Sequence, residues 1–288
     1  MTSPIPRFDF RAPAAPGAEL EVLDLVELQR RLPSGDHQRV HRLGFHTLTL
    51  VTGGTGEHMV DFVTYPCRPG TLLWVRPGQV QRFAPGSGLT GPHVLFTPAF
   101  PPGFAGSDRL IDDWRGPTCR QLGTSRDYAS VAALLAQLSA EAHRDPASSA
   151  GSAVSRQIQQ LLLATILLQA SRLSPHGEQG HDGEVYGRFR AELERSYQAT
   201  RLAEDYAARL GYSVKTLSRA CLAATGQPVK RVIDGRVVLE ARRLLAHTGE
   251  PVAVIARRLG FSEPTNFGKF FTRHTGTTPG EFRATHRA

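Results

Sequence analysis

Near the C-terminal end of the chain, six side chains are of the kinds that hydrogen-bond to base edges. Lys215, Ser218 and Arg219 form one group, and Thr265, Asn266 and Lys269 form another. Residues three and four apart are neighbours on a helix surface, so each group shares one side of its helix. The opposite sides are apolar, with Leu217, Ala220 and Cys221 in the first and Phe267, Phe270 and Phe271 in the second. In the DNA major groove, Arg or Lys donates to guanine O6 and N7, and Asn pairs with adenine. Arg219 and Lys269 are therefore candidates for guanine and Asn266 for adenine, while Ser218 and Thr265 discriminate less. For each of them a merely solvated helix face is the alternative. Arg195, Arg201, Lys230, Arg231, Arg242, Arg257, Arg258 and Arg273 are better placed for phosphates, which give affinity without sequence information.

The elements that must position these residues repeat. Residues 207–213 read AARLGYS and residues 256–262 read ARRLGFS, each followed by a second helical stretch ending at Gly226 or Gly276. In both, an Ala-containing helix stops at Leu-Gly, because Gly adopts the left-handed conformation that follows a helix end. Ser213 and Ser262 are then suited to cap the next helix. A short helix, a Gly turn and a capped second helix make a helix-turn-helix, whose second helix enters the major groove. The second copy carries one extra residue near Pro264. Between the copies, residues 228–247 are expected to form one connecting helix, weakened somewhat by Gly235 and ended by the TGEP turn. A helical bundle with no DNA role is the alternative.

Charge points the same way. Residues 184–288 hold 18 Lys plus Arg against 10 Asp plus Glu, whereas residues 1–183 hold 16 of each. The whole +8 excess is thus confined to the C-terminal part, the footprint expected for a polyanionic partner such as double-stranded DNA. A basic solubility surface would be spread over both parts. Cys67, Cys119 and Cys221 are odd in number and far apart, which excludes a disulfide framework or a metal knuckle and fits a reducing compartment. The longest apolar run, residues 161–170, is about half of the ~20 residues a spanning helix needs. No basic segment followed by an apolar run opens the chain, so no secretory signal is expected. A soluble, cytoplasmic protein without membrane contact is the expectation.

The N-terminal part reads differently. The first twenty residues are rich in Pro and Ala and are expected to form a loose arm. HTLTLV, HMVDFVTY, TLLWV and HVLF, between residues 46 and 96, are short runs rich in β-branched and aromatic residues, separated by Gly and Pro. They suggest a β-sandwich or small barrel. Two helices are expected after it, at 128–143 and 153–173. The segment 174–183 has almost nothing apolar and is expected to be an interdomain linker.

The run from Arg236 to Arg283 resembles the signature stretch of the AraC/XylS family of transcription regulators. The shared features are Arg236, Ala241, Leu244, Leu245, Ile255, Ala256, Gly260, Phe261, Phe267, Phe270, Phe271, Gly276, Pro279, Phe282 and Arg283. Cys221, where an aromatic is usual, and Gly235 depart from the pattern. The resemblance covers about 100 residues. It implies sequence-specific DNA binding, places the six polar residues at base-contacting positions, and implies RNA polymerase as a partner. It also implies a cupin-like effector domain, and residues 70–83 resemble the second cupin motif. Metal-binding cupins have a histidine where this chain has Gln81, and only His58 lies near the first motif. A three-His, one-Glu site cannot be assembled from these, so neither a metal nor another cofactor is expected. His176 and His181 flank the linker and are expected to be solvated.

The barrel interior is then a candidate pocket for a small-molecule effector. His46 shares its strand face with Leu48 and Leu50, which should point inward; Trp74, Arg76 and Gln81 are further candidates. A histidine satisfied within the core is the alternative for His46. In the helix at 153–173, Val154, Leu161 and Leu168 repeat at seven with Ile158 and Thr165 between. The stripe suits either a homodimer seam or packing on the barrel. The expected architecture is α+β: a cupin-like β-barrel with helices (1–173), a linker (174–183) and an all-α double helix-turn-helix domain (184–288). The expected protein is a DNA-binding transcription regulator with no catalytic residues. The alternative is a cupin-fold enzyme fused to a helical domain.

Overall fold

The computed structural model describes residues 5–10, 18–31, 39–83, 88–101, 117–144, 149–173 and 181–286. The chain divides into two compact units: Pro6–Ile111 with Gly116–Pro175, and His176–Ala288 with two short outlying pieces.

The first unit contains β1 (Arg7–Phe8), β2 (Leu20–Asp24), α1 (Leu25–Arg31), β3 (His41–Leu43), β4 (His46–Leu50), β5 (Gly56–Val60) and β6 (Val63–Cys67). It continues with β7 (Thr71–Val75), β8 (Val80–Phe83), β9 (Pro92–Phe96), β10 (Cys119–Gln121), α2 (Arg126–Ala142) and α3 (Ser149–Arg172). The strands pair as two five-stranded sheets, β1-β3-β8-β5-β6 and β10-β7-β4-β9-β2. The expected barrel is therefore a cupin-like jelly-roll of two sheets that are not closed on one another. Leu73 from one sheet and Cys67 from the other pack together with Leu25, Val51 and Leu89 between the layers.

On its outer side the second sheet is covered by helices. Leu48, Leu50, Leu72, Trp74 and Phe96 pack against Val131, Leu135 and Leu138 of α2 and Leu163, Ile166 and Leu167 of α3. Helix α2 starts where Ser125 accepts a hydrogen bond from the Tyr128 amide, an N-cap in the usual sense. Part of the expected N-terminal arm is a strand, since Arg7 and Phe8 pair with Arg42 and Leu43; residues 1–4 and 11–17 lie outside the described residues. The run HMVDFVTY is a hairpin rather than one strand, turning at Asp61 and Phe62, whose φ values are 49° and 70°. The Asp61 carboxylate accepts from the Val80 amide and the Gln79 side chain, each at 3.0 Å, and this holds the turn.

The second unit is helical: α4 (His181–Ser196), α5 (Ala203–Leu210), α6 (Val214–Thr225), α7 (Val229–His247), α8 (Val252–Arg258), α9 (Pro264–Thr275) and α10 (Pro279–His286). Because α4 begins at His181, the last three residues of the expected linker belong to its first turn. Residues 174–180, His176 among them, lie outside the described residues. Gly235 leaves α7 unbroken through all 19 residues. No helix among the described residues is long and apolar enough to cross a membrane.

Candidate nucleic-acid interface and interior polar site

The repeat in the sequence becomes two similar turns. In the first, α5 ends at Gly211 with φ 69°, and the Tyr212 amide donates to the Ala207 carbonyl at 3.0 Å. In the second, Gly260 has φ 76° and the Phe261 amide donates to the Ala256 carbonyl, also at 3.0 Å. Both are the return bond of a glycine-terminated helix end. Ser213 caps α6, accepting from the Thr216 amide at 3.0 Å. Ser262 does not cap α9. The cap position is Glu263 and Pro264 is the first helical residue, because proline's fixed φ and missing amide suit that place. This is where the extra residue of the second copy goes.

Both second helices bury the expected sides. Leu217, Ala220 and Cys221 are buried in α6, and Phe267, Phe270 and Phe271 in α9. The rings of α9 form a chain: Phe267 lies 5.4 Å from Phe261 and 5.8 Å from Phe271, which in turn lies 5.5 Å from Phe282. On the other sides, Lys215, Arg219, Thr265, Asn266 and Lys269 are exposed and Ser218 is half-buried.

Helix α7 connects the two helix-turn-helix copies. Arg236 donates to Glu194 of α4 at 2.7 Å and to Glu240 at 3.3 Å, and Arg243 donates to Glu240 at 3.1 Å. Arg236 also lies over the Tyr197 ring, 3.8 Å from its centre. Burial opposes the charge on Arg236, but Glu194 and Glu240 outweigh it and raise its pKa. A buried pair stripped of one partner is strongly destabilised, so this network fixes α7 against α4.

The eight cations nominated for phosphates do different things. Arg231 and Arg257 are exposed. Arg195 pairs with Glu192, Lys230 with Asp234 and Arg258 with Glu250, at 3.0, 2.7 and 3.1 Å. Arg273 is exposed beside His274. Arg201 and Arg242 are half-buried and lie over the rings of Phe261 and Phe282.

In the first unit the four residues nominated for the effector pocket fall into two places. His46 accepts from the Trp74 indole at 3.2 Å and stacks on Phe96 at 4.8 Å, and Arg76 lies over the Trp74 ring. Contrary to the expectation, this face points at α2 and α3, not into the space between the sheets. All five residues of β4 and of β7 are buried, so alternation could not reveal which side was the interior. Burial pushes the His46 imidazole down to about 3, with Arg76 adding to the effect.

Gln81 lies elsewhere, in a chain of neutral polar groups. Its carbonyl oxygen accepts from His58 Nε2 at 3.0 Å, and its amide nitrogen donates to His41 Nε2 at 3.1 Å. His41 Nδ1 donates to the Arg39 carbonyl. These tautomers follow from the hydrogen-bond directions. On the facing sheet, His93 Nδ1 bonds the Thr49 hydroxyl at 2.7 Å. Burial pushes His58 down to about 3 and His93 to about 4; His93 and His41 add to the lowering at His58. Sequence reasoning missed His41 and His93, because only the strand pairing brings them near Gln81. Among the described residues, no group of three or more His, Cys, Asp or Glu is placed to hold a metal ion. A pocket of about 540 Å³ is lined from β2, α1, β4 and α2, by residues that include Leu23, Glu27, Arg31, Leu50, Leu135 and His143. None of the four nominated residues lines it.

Residues 26–170 match the model of the AraC-like ligand binding domain, and residues 206–285 match a helix-turn-helix domain. The chain is 28% identical over 262 residues to the HTH-type transcriptional activator RhaS of Enterobacter sp. (strain 638), covering 90% of this chain and 91% of that protein. RhaS of Citrobacter koseri is 26% identical over the same length. Among solved structures, the DNA-binding domain of AdpA in complex with a target DNA is 30% identical, with TM-score 0.31, covering 36% of this chain and 90% of that one. ToxT from Vibrio cholerae O395 is 11% identical, with TM-score 0.41, covering 85% and 90%. The N-terminal match alone spans just over half of the residues and two helix-turn-helix units follow it, so the chain belongs to the AraC family: it is a DNA-binding transcription regulator with an N-terminal ligand-binding domain.

Proposed function

We propose that α6 and α9 each enter the major groove of one asymmetric DNA site, with Lys215, Ser218 and Arg219 reading one segment and Thr265, Asn266 and Lys269 the other. Residues 184–288 act as the DNA-binding domain, joined through 174–183 to an effector and dimerisation domain in 1–173. Arg195, Lys230, Arg231, Arg257, Arg258 and Arg273 supply phosphate contacts; the ring contacts of Arg201 and Arg242 fit a bracing role better. The observation that carries the reading is that both second helices hold their aromatic or aliphatic side in the core and leave five of the six nominated polar residues exposed, with Ser218 half-buried. Recognition helices on one DNA face lie about one turn apart, ~34 Å or ~10 bp.

A site recovered from random duplexes by the full-length protein tests this. Binding should fall steeply between low and physiological salt. Arg219→Ala and Lys269→Ala should each relax base preference at one position, in separate groove segments, whereas Arg257→Ala should weaken all sequences alike. Unchanged base profiles in both recognition-helix variants overturn the assignment.

A small-molecule effector held in the first unit is part of the proposal. RNA polymerase contact, a cytoplasmic location and a homodimer through 153–173 complete the proposal.

A further inference from the structure

Arg219 does not stand alone on its helix. Its Nε donates to both carboxylate oxygens of Asp182, at 3.0 and 3.1 Å, and its Nη2 lies 3.0 Å from Oδ1. Among the described residues, Asp182 is the only group that this guanidinium bonds. Asp182 lies in the first turn of α4, outside the span that matches the helix-turn-helix domain.

The edge that Asp182 uses matters. A guanidinium offers five N–H groups in a fixed plane. Asp182 takes the side edge, formed by Nε and one hydrogen of Nη2. The end edge, formed by Nη1 and the other Nη2 hydrogen, still points away, and the side chain is 60% exposed. Guanine presents two acceptors, O6 and N7, that an end edge can bridge. The carboxylate thus fixes the torsions of a long side chain without occupying the donors that would meet the base. From this geometry we infer that Asp182 is a specificity-determining residue, which orients Arg219 for end-on recognition of guanine.

The inference rests on Arg219 being a base reader. Asp182 would act on DNA through Arg219 alone, as a positioning residue. Its negative charge also opposes the phosphates. Two effects of opposite sign follow from removing it. Preference for guanine at the base read by Arg219 should fall about three- to tenfold, the factor expected when one long side chain must be ordered on binding. Affinity for DNA of unrelated sequence should stay level or rise.

The test uses the full-length protein, a site recovered from a random duplex pool, and its single-base variants. Asp182→Ala and Asp182→Asn should lose guanine preference at one position while retaining the rest of the profile. Glu184→Gln, which removes a charge from the same turn without touching Arg219, should leave the profile unchanged. In an Arg219→Ala background, Asp182→Ala should change no base preference. An unchanged profile in the Asp182 variants, with Arg219→Ala still losing preference, overturns the inference and leaves the contact assignment standing. A sharper guanine preference without Asp182 would mean that it withholds Arg219 instead, and also overturns the inference. If Arg219→Ala alters no position, Arg219 reads no base and both readings fall.

Discussion

The guanidinium carbon of Arg201 lies 3.8 Å from the centre of the Phe261 ring, and its Nη1 donates to the Leu259 carbonyl at 2.9 Å. Arg201 immediately precedes the first helix-turn-helix, whereas Leu259 and Phe261 form the turn of the second. Lys230 of the connecting helix donates to the Arg201 carbonyl at 3.1 Å, so three parts of the DNA-binding unit meet at one residue. Arg201→Ala should therefore lower stability by roughly 1–2 kcal/mol, through a lost ring contact and a lost hydrogen bond. DNA affinity should fall with it, but the slope of affinity against salt should not change. A slope reduced by about one counterion would show a phosphate contact in place of a brace.

The two turn glycines separate conformational strain from close approach. Gly211 and Gly260 both have positive φ, which costs an L-residue roughly 1–2 kcal/mol. A Cβ on Gly211 would meet nothing within 4 Å, whereas one on Gly260 would lie 2.3 Å from the Gln198 carbonyl oxygen. Gly260→Ala should thus destabilise the helical unit by clearly more than Gly211→Ala does. Denaturant unfolding followed by helical circular dichroism measures both. Equal losses would mean that the Gln198 backbone moves aside freely.

The DNA-binding unit was legible because its signals are local and occur twice. A Leu-Gly stop, an apolar side at helical spacing and a basic excess are all read from neighbouring residues. The one cap misplaced, Ser262, failed because Pro264 is the first helical residue and moves the cap one place on, to Glu263. In the first unit the legible parts were the β-branched runs. What sequence could not give was anything that depends on both layers. Strands β4 and β7 are buried on both faces, so His46 and Trp74 carried no mark of the side they would take. The turn at Asp61 and Phe62 uses positive φ without the usual Gly or Asn-Gly, so the hairpin looked like one strand. His41, His58 and His93 come from strands far apart in sequence, and only topology assembles them.

These buried histidines make the first unit sensitive to acid. His46 and His58 are held at about 3 and His93 at about 4, by burial first, against about 6.5 for an unfolded histidine. Below that unfolded value the unfolded chain takes up protons that the folded chain does not. The contribution is therefore fully present above pH about 6.5 and is lost as pH falls toward 4 and 3. Each histidine should impose a slope of up to ~1.4 kcal/mol per pH unit across that window. Thermal unfolding followed by intrinsic tryptophan fluorescence, to which Trp74 and Trp114 contribute, should show a midpoint that drops between pH 7 and 5 at constant salt. A level midpoint over that range would mean that the three imidazoles gain water or protons without unfolding.

The outer side of α3 bears the heptad stripe. Leu163, Ile166, Leu167 and Ala170 pack inward, while Val154 and Leu161 remain 57% and 52% exposed, with Ile158 and Leu168 also exposed. Helix α3 does pack on the first unit's own sheet, but through a different side: the stripe itself stays outside that contact. The apolar row from Val154 to Leu168, ~21 Å at 1.5 Å per residue, is long enough to seat the same row of a second copy. Leu161 stands at its middle. A surface substitution there should change the stability of a single chain by no more than about 0.5 kcal/mol, whereas a carboxylate placed in a dry seam meets its own copy across the interface. Leu161→Glu should accordingly convert a dimer to a monomer in sedimentation equilibrium at micromolar concentration, with the thermal midpoint of the first unit little changed. Binding to a single site should survive, and cooperative binding to two adjacent sites should be lost. A wild-type chain that remains monomeric at these concentrations, or a Leu161→Glu variant that stays dimeric, removes α3 as the dimer element.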